Sequence, residues 1–149
     1  MTRNAFEKAD ALADGCQPDA ELWAWVCQAF RGHRRHGRDL EAAFDLDHAG
    51  RMRQRNVELR AAAEALRAGR VMSDNDLAGE LAARLQRFTV GKLTRYWRTG
   101  DVSGFDDVEH RLLAAALTGA PTTSSKKNLY RIIERDPGQE AALFVQADS

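Results

Sequence analysis

Cysteine is nearly absent: Cys16 and Cys27 are the only two among 149 residues. Two thiols at that spacing form neither a disulfide framework nor a Cys-x-x-Cys pair. Proline is equally sparse, at Pro18, Pro121 and Pro137, and no Pro, Gly or Ser tract marks a linker. Long apolar runs are missing too. The longest, residues 22–27 and 112–117, are six residues each, against about twenty for a membrane span. Residues 1–10 carry charges and no apolar stretch, so no secretory signal is expected and a cytoplasmic location is. Alternating apolar and polar positions are lacking, and no Asn-Gly or Asp-Gly turn joins two apolar runs, which argues against paired strands. No Gly-x-Ser-x-Gly, Walker or dinucleotide fingerprint occurs, and no repeat of solenoid period is visible. The residue pattern therefore recommends no enzyme and no cofactor.

Net charge is also absent, since 22 basic residues balance 22 acidic ones. The balance is local, however. Residues 1–30 carry two cations against five carboxylates, residues 31–100 fifteen against nine, and residues 101–149 five against eight. A basic middle between acidic ends suits a local anionic partner better than a whole-molecule field. With 44% hydrophobic and 30% charged residues, the composition is that of an ordinary folded domain. Heavy use of Ala, Arg and Leu suggests a GC-rich bacterial source.

What is present is helical period. Thr2 is placed to cap a first helix carrying Phe6, Ala9, Leu12 and Ala13, with Gly15 to end it. Pro18 and Asp19 open a second, on which Leu22, Val26, Ala29 and Phe30 form a stripe widened by Trp23, Trp25 and Cys27. Asp39 opens a third segment through Leu40, Ala43 and Phe44; Gly50 either breaks it or lies within a helix running through Met52, Leu59, Ala63 and Leu66 to Gly69. Ser73 and Asp76 start a fourth, with Leu77, Leu81, Leu85 and Phe88 inward and Thr89, Val90 and Gly91 as a bend. Asp106 with Glu109 caps a fifth through Val108, Leu112, Ala116 and Leu117, ended by Gly119 and Pro121. Thr123 or Ser124 caps a sixth carrying Leu129, Ile132 and Ile133, ended at residues 136–138. The expected fold is an all-α, compact bundle of about six helices in a single domain 1–149, with possible sub-units 1–70 and 73–137 and a C-terminal arm 138–149 holding Leu143, Phe144 and Val145.

Two stretches carry the functional expectation. Ala115, four residues before Gly119, resembles the small-residue and glycine pair of a helix-turn-helix, provided its turn is about four residues longer than usual. The sixth helix then presents Lys126, Lys127, Asn128 and Arg131 away from its apolar side, where they reach phosphates and base edges. The alternative reading is two ordinary bundle helices with solvated basic residues. The second stretch, residues 31–38, holds Arg31, Arg34, Arg35 and Arg38 with His33 and His36. Its two glycines predict a flexible loop, and arginine's planar fork suits phosphate. The carboxylates Asp39, Glu41, Asp45 and Asp47 follow directly and offer an internal pairing instead. His33 and His36, with Cys27 and His48 nearby, match no standard zinc spacing, so no metal is expected. A further cluster, Arg84, Arg87, Lys92, Arg95 and Arg98 beside Tyr96 and Trp97, reads as a core anchor, Trp97, with arginines around it; the alternative is aromatics and arginines that stack on unpaired bases.

Trp23 and Trp25 lie about 200° apart on a helix, so they cannot share one narrow stripe, and one of them is expected at a protein partner or homo-oligomer contact. The leading expectation is a small bacterial or phage-type DNA-binding regulatory or accessory protein. The alternative is a helical protein-interaction module without nucleic-acid affinity.

Overall fold

The computed structural model describes residues 3–135. Among these the chain is all-α, with no strand: α1 (Ala5–Ala13), α2 (Ala20–His36), α3 (Leu40–Ala43), α4 (His48–Arg67), α5 (Asp74–Phe88), a π-helical turn (Thr89–Leu93), α6 (Thr94–Thr99), α7 (Asp107–Leu117) and α8 (Lys126–Glu134). None of these helices is long and apolar enough to cross a membrane. Thr2, the stop at 136–138 and the arm 138–149 lie outside the described residues. The chain divides into two compact units, Met1–Gln54 and Arg55–Ser149, and the division falls inside α4.

In the first unit α1 opens on Asn4, whose side chain accepts from the Glu7 amide while Glu7 accepts from the Asn4 amide, each at 2.9 Å. This reciprocal box satisfies two helix-end donors at once. Arg3 pairs with Asp19, and Lys8 reaches Glu21 at 3.3 Å, tying α1 to the start of α2. Phe44, just past α3, receives two aromatic edges, from Trp25 at 4.9 Å and Phe30 at 5.8 Å. Gly50 does not break its helix. The chain turns earlier, at Asp45, which has φ 58°, and Asp47 then accepts from the Gly50 amide at 2.9 Å. A Cβ on Gly50 would sit 2.2 Å from the Asp45 carbonyl oxygen, so the close approach of that turn demands glycine.

The second unit holds the larger core: Leu59, Ala62, Ala63, Leu77, Leu81, Leu85, Phe88, Leu112 and Leu129 are all buried. Ser73 caps α5 by accepting from the Asp76 amide. Asp76 does not reach back to the Ser73 amide; its carboxylate takes the Ser73 hydroxyl at 2.8 Å instead, as its short side chain allows. The bend expected at residues 89–91 is the π-turn. Five residues along an α-helix, Phe88 and Leu93 would lie roughly 140° apart; the wider turn brings both inward, and both are buried. α7 carries the expected box, Glu109 amide to Asp106 at 2.9 Å and Asp106 amide to Glu109 at 3.1 Å.

α8 packs chiefly along α5, and α7 also meets α5. The α7–α8 pair is not the closely packed couple of a short-turn helix-turn-helix. Instead, the loop after α7 folds on itself and onto α4: Thr118 donates to Ala115 at 2.7 Å, Gly119 takes φ 74°, and the Arg55 guanidinium donates to the Pro121 carbonyl. Arg60 holds the other end of α8 through the Ile132 carbonyl at 2.8 Å.

Candidate nucleic-acid interface

Residues 31–36 are not a loop. They form the last turns of α2, and only Gly37, at φ 62° with its amide donating to the Gly32 carbonyl, ends the helix. A mid-helix glycine costs only about 1 kcal/mol against alanine, and cations in a final turn are favoured by the helix dipole. Arg31, Arg34 and Arg35 are thus fixed on a rigid element, all exposed. Arg38 lies just beyond, its guanidinium on the Ala42 carbonyl at 3.3 Å and its carbonyl 2.8 Å from His33 Nδ1.

The acidic residues that follow do not neutralise this cluster. Asp45 pairs with Arg53, and Asp47 caps α4. Among the described residues Arg31, Arg34 and Arg35 have no carboxylate within ion-pair distance.

Trp23 is 60% and Phe30 49% exposed, on the same side of α2 as Arg34. The inward side of this helix is Leu22 and Ala29 instead. Phe30 was expected inward; its place seven residues from Trp23, two full turns, is the signal that puts it outward. Trp25 is half-buried against Phe44, so of the two predicted contact tryptophans only Trp23 faces out. Trp23, Val26, Cys27, Phe30, Arg31, Arg34 and Arg35 line one open groove of about 540 Å³. A second cleft of the same unit, about 430 Å³, is lined by Arg3, Lys8, Trp25, Arg38 and Asp45 among others, and its charges are partly spent on ion pairs.

α8 departs from a local rule that α1, α2, α5 and α7 keep. α1, α2, α5 and α7 each carry acid in the first turn, where the dipole favours it. α8 starts with Lys126 and Lys127, and its N-cap Ser125 makes no side-chain capping bond. Leu129 and Ile132 are buried, while Lys127, Asn128, Arg131 and Arg135 are exposed. Lys126 is exposed as well, but its stem lies across α5, within 3.5 Å of where a Cβ on Gly79 would sit. The Asn128 amide donates to Thr123 at 3.3 Å. No ion pair is made by Lys126, Lys127, Arg131 or Arg135 among the described residues.

The third basic cluster has other work. Lys92 donates to the Gly104 carbonyl at 2.7 Å and to Glu109 at 2.6 Å, Arg95 to the Ser103 carbonyl at 2.9 Å, and Arg84 to Asp106. These side chains clamp the loop before α7. Burial acts to raise the Asp106 pKa, but the Glu109 amide, Arg84 and Lys92 outweigh it and hold this carboxylate below its ordinary range. Trp97 is not a core anchor: it is 60% exposed and meets Tyr96 edge-on at 5.4 Å. Neighbours on a helix lie about 100° apart, and here Tyr96 has the inward side.

Comparison with protein-family models, with curated proteins and with solved structures finds no match to this chain.

Proposed function

We propose that this chain is a small bacterial or phage-type DNA-binding regulatory or accessory protein, contacting phosphates with the exposed face of α8 and the basic end of α2. The observation that carries the reading is the segregation of its cations. Thirteen of the 22 basic side chains are engaged in ion pairs or hydrogen bonds that serve the fold. Among the described residues, the exposed ones outside these bonds gather at Arg31, Arg34 and Arg35 and at Lys126, Lys127, Arg131 and Arg135, with Arg87 and Arg98 apart. Lys127, exposed at the start of α8, opposes the helix dipole, and a local rule broken without structural gain is characteristic of a binding surface. Backbone contact of this kind is sequence-independent and strongly salt-dependent. A mobility-shift titration with random-sequence duplex tests it: retarded complexes at low salt that dissolve as salt rises are expected, and no complex at low salt refutes it.

The second reading, a helical protein-interaction module, is favoured by the exposed aromatics Trp23, Phe30 and Trp97, of a kind enriched at interfaces. It predicts a Trp23-dependent oligomer or captured protein by light scattering, with no nucleic-acid complex.

A further inference from the structure

The outward stripe of α2 combines two features that backbone contact with duplex DNA does not use together. Trp23, Cys27, Phe30 and Arg34 recur at helical spacing along one line, with Arg31 and Arg35 beside it, and together they line the 540 Å³ groove. The two rings are exposed at 60% and 49%, although their burial would each release apolar surface worth a few kcal/mol. Arg34 stands in line with the rings, not at a rim, and its guanidinium has no carboxylate among the described residues.

We propose that this stripe is a docking platform for single-stranded nucleic acid. The proposal rests on the nucleic-acid reading above and adds the strand type and the site. Every base has a π-face, and an exposed aromatic meets it only when the base is unpaired; inside a duplex that face is covered by its neighbours. Trp23 and Phe30 are about 10.5 Å apart along the helix axis, too far for adjacent stacked bases. Each ring therefore takes its own base with intervening nucleotides spanning the gap. Arg34, about 6 Å beyond Phe30, and its neighbours Arg31 and Arg35 then meet the phosphates that follow, through bidentate donation. An acidic amphipathic helix would cover the rings and pair the guanidinium as well; with such a partner, oligo-dT binding would be absent or indifferent to W23A/F30A.

The test is fluorescence anisotropy with full-length protein, using labelled oligo-dT of about fifteen nucleotides and, separately, a random duplex. The variants are W23A/F30A, R34E and, on α8, K127E. Trp23 is mostly exposed, but Phe30 also meets Phe44 edge-on, so circular dichroism and thermal unfolding check that W23A/F30A is folded, and the single W23A variant carries the test if it is not. W23A/F30A is expected to weaken oligo-dT binding by roughly tenfold per ring while duplex binding stays within twofold. R34E is expected to weaken oligo-dT binding and flatten its salt dependence. K127E is expected to weaken duplex binding more than oligo-dT binding. Duplex binding with no oligo-dT binding, or oligo-dT binding indifferent to W23A/F30A, overturns the platform and leaves the α8 reading standing. Absence of binding to either probe overturns both. A Trp23-dependent dimer in sedimentation that excludes oligo-dT assigns the stripe to a second copy of the chain and also overturns the platform.

Discussion

Lys127→Glu separates binding from folding, because the two respond with opposite signs. Six exposed cations are assigned to phosphates: Arg31, Arg34 and Arg35 on α2, and Lys127, Arg131 and Arg135 on α8. Counterion release gives a slope of about −0.9 per phosphate neutralised, or roughly −2.7 in log K against log salt for either cluster of three. Affinity at that cluster then falls about 40-fold between 50 and 200 mM salt. Removing the Lys127 contact makes the slope shallower by about 0.9. The same substitution places a carboxylate in the first turn of α8, where the dipole now favours it, and stability should rise by about 0.3–1 kcal/mol. The assays are anisotropy titrations with random duplex over 50–200 mM salt and urea unfolding of the same preparations. An unchanged salt slope refutes the contact. A fall in stability refutes the placement of Lys127 on the exposed first turn.

Further substitutions test the frame that holds these faces. Asp106→Ala removes one side of the α7 capping box and should cost about 1 kcal/mol in urea unfolding. Because the folded pKa of Asp106 is lowered, the wild-type contribution is present above the ordinary value of about 3.9. It fades as the pH falls through the lower folded value, so the wild type and D106A should converge in acid. Gly50→Ala would gain about 1 kcal/mol by helix propensity alone, yet its Cβ meets the Asp45 carbonyl; a net loss of about 1–3 kcal/mol in thermal unfolding is expected, and a gain refutes the close approach. Leu129→Ala, at a fully buried position of α8, should cost about 2–5 kcal/mol and expose the amides of residues 126–134 to hydrogen exchange.

Most of the helices were legible because their caps and stripes agree. Asp106 with Glu109, Ser73 with Asp76, and the Leu77–Leu81–Leu85 ladder each state a start or an inward face in a few residues. Residues 31–36 were misread because two glycines outweighed the apolar period before them. A single internal glycine is a small cost beside the burial of Leu22 and Ala29. Thr2 lies outside the described residues, and Asn4 with Glu7 forms the box at the start of α1. The basic residues were harder, since sequence shows charge but not who neutralises it. Lys92 and Arg95 turn back onto the loop before α7, whereas Arg34 and Lys127, no different in type, meet no carboxylate among the described residues. That distinction depends on carboxylates far away in sequence, as Arg84 and Asp106 illustrate.

The π-turn at Thr89–Leu93 also constrains how this chain can change length. It holds one residue more than a regular helix needs, and Gly91 has nothing within 4 Å of where a Cβ would be, so its loss would look harmless. Yet Lys92, which follows it, secures Gly104 and Glu109. Deleting Gly91 would regularise the hydrogen bonding of the helix and swing Lys92 away by about 100°. The surplus residue therefore acts as a spacer: there is room for a side chain at position 91, while an insertion or deletion between α5 and α6 would carry Lys92 off Gly104 and Glu109.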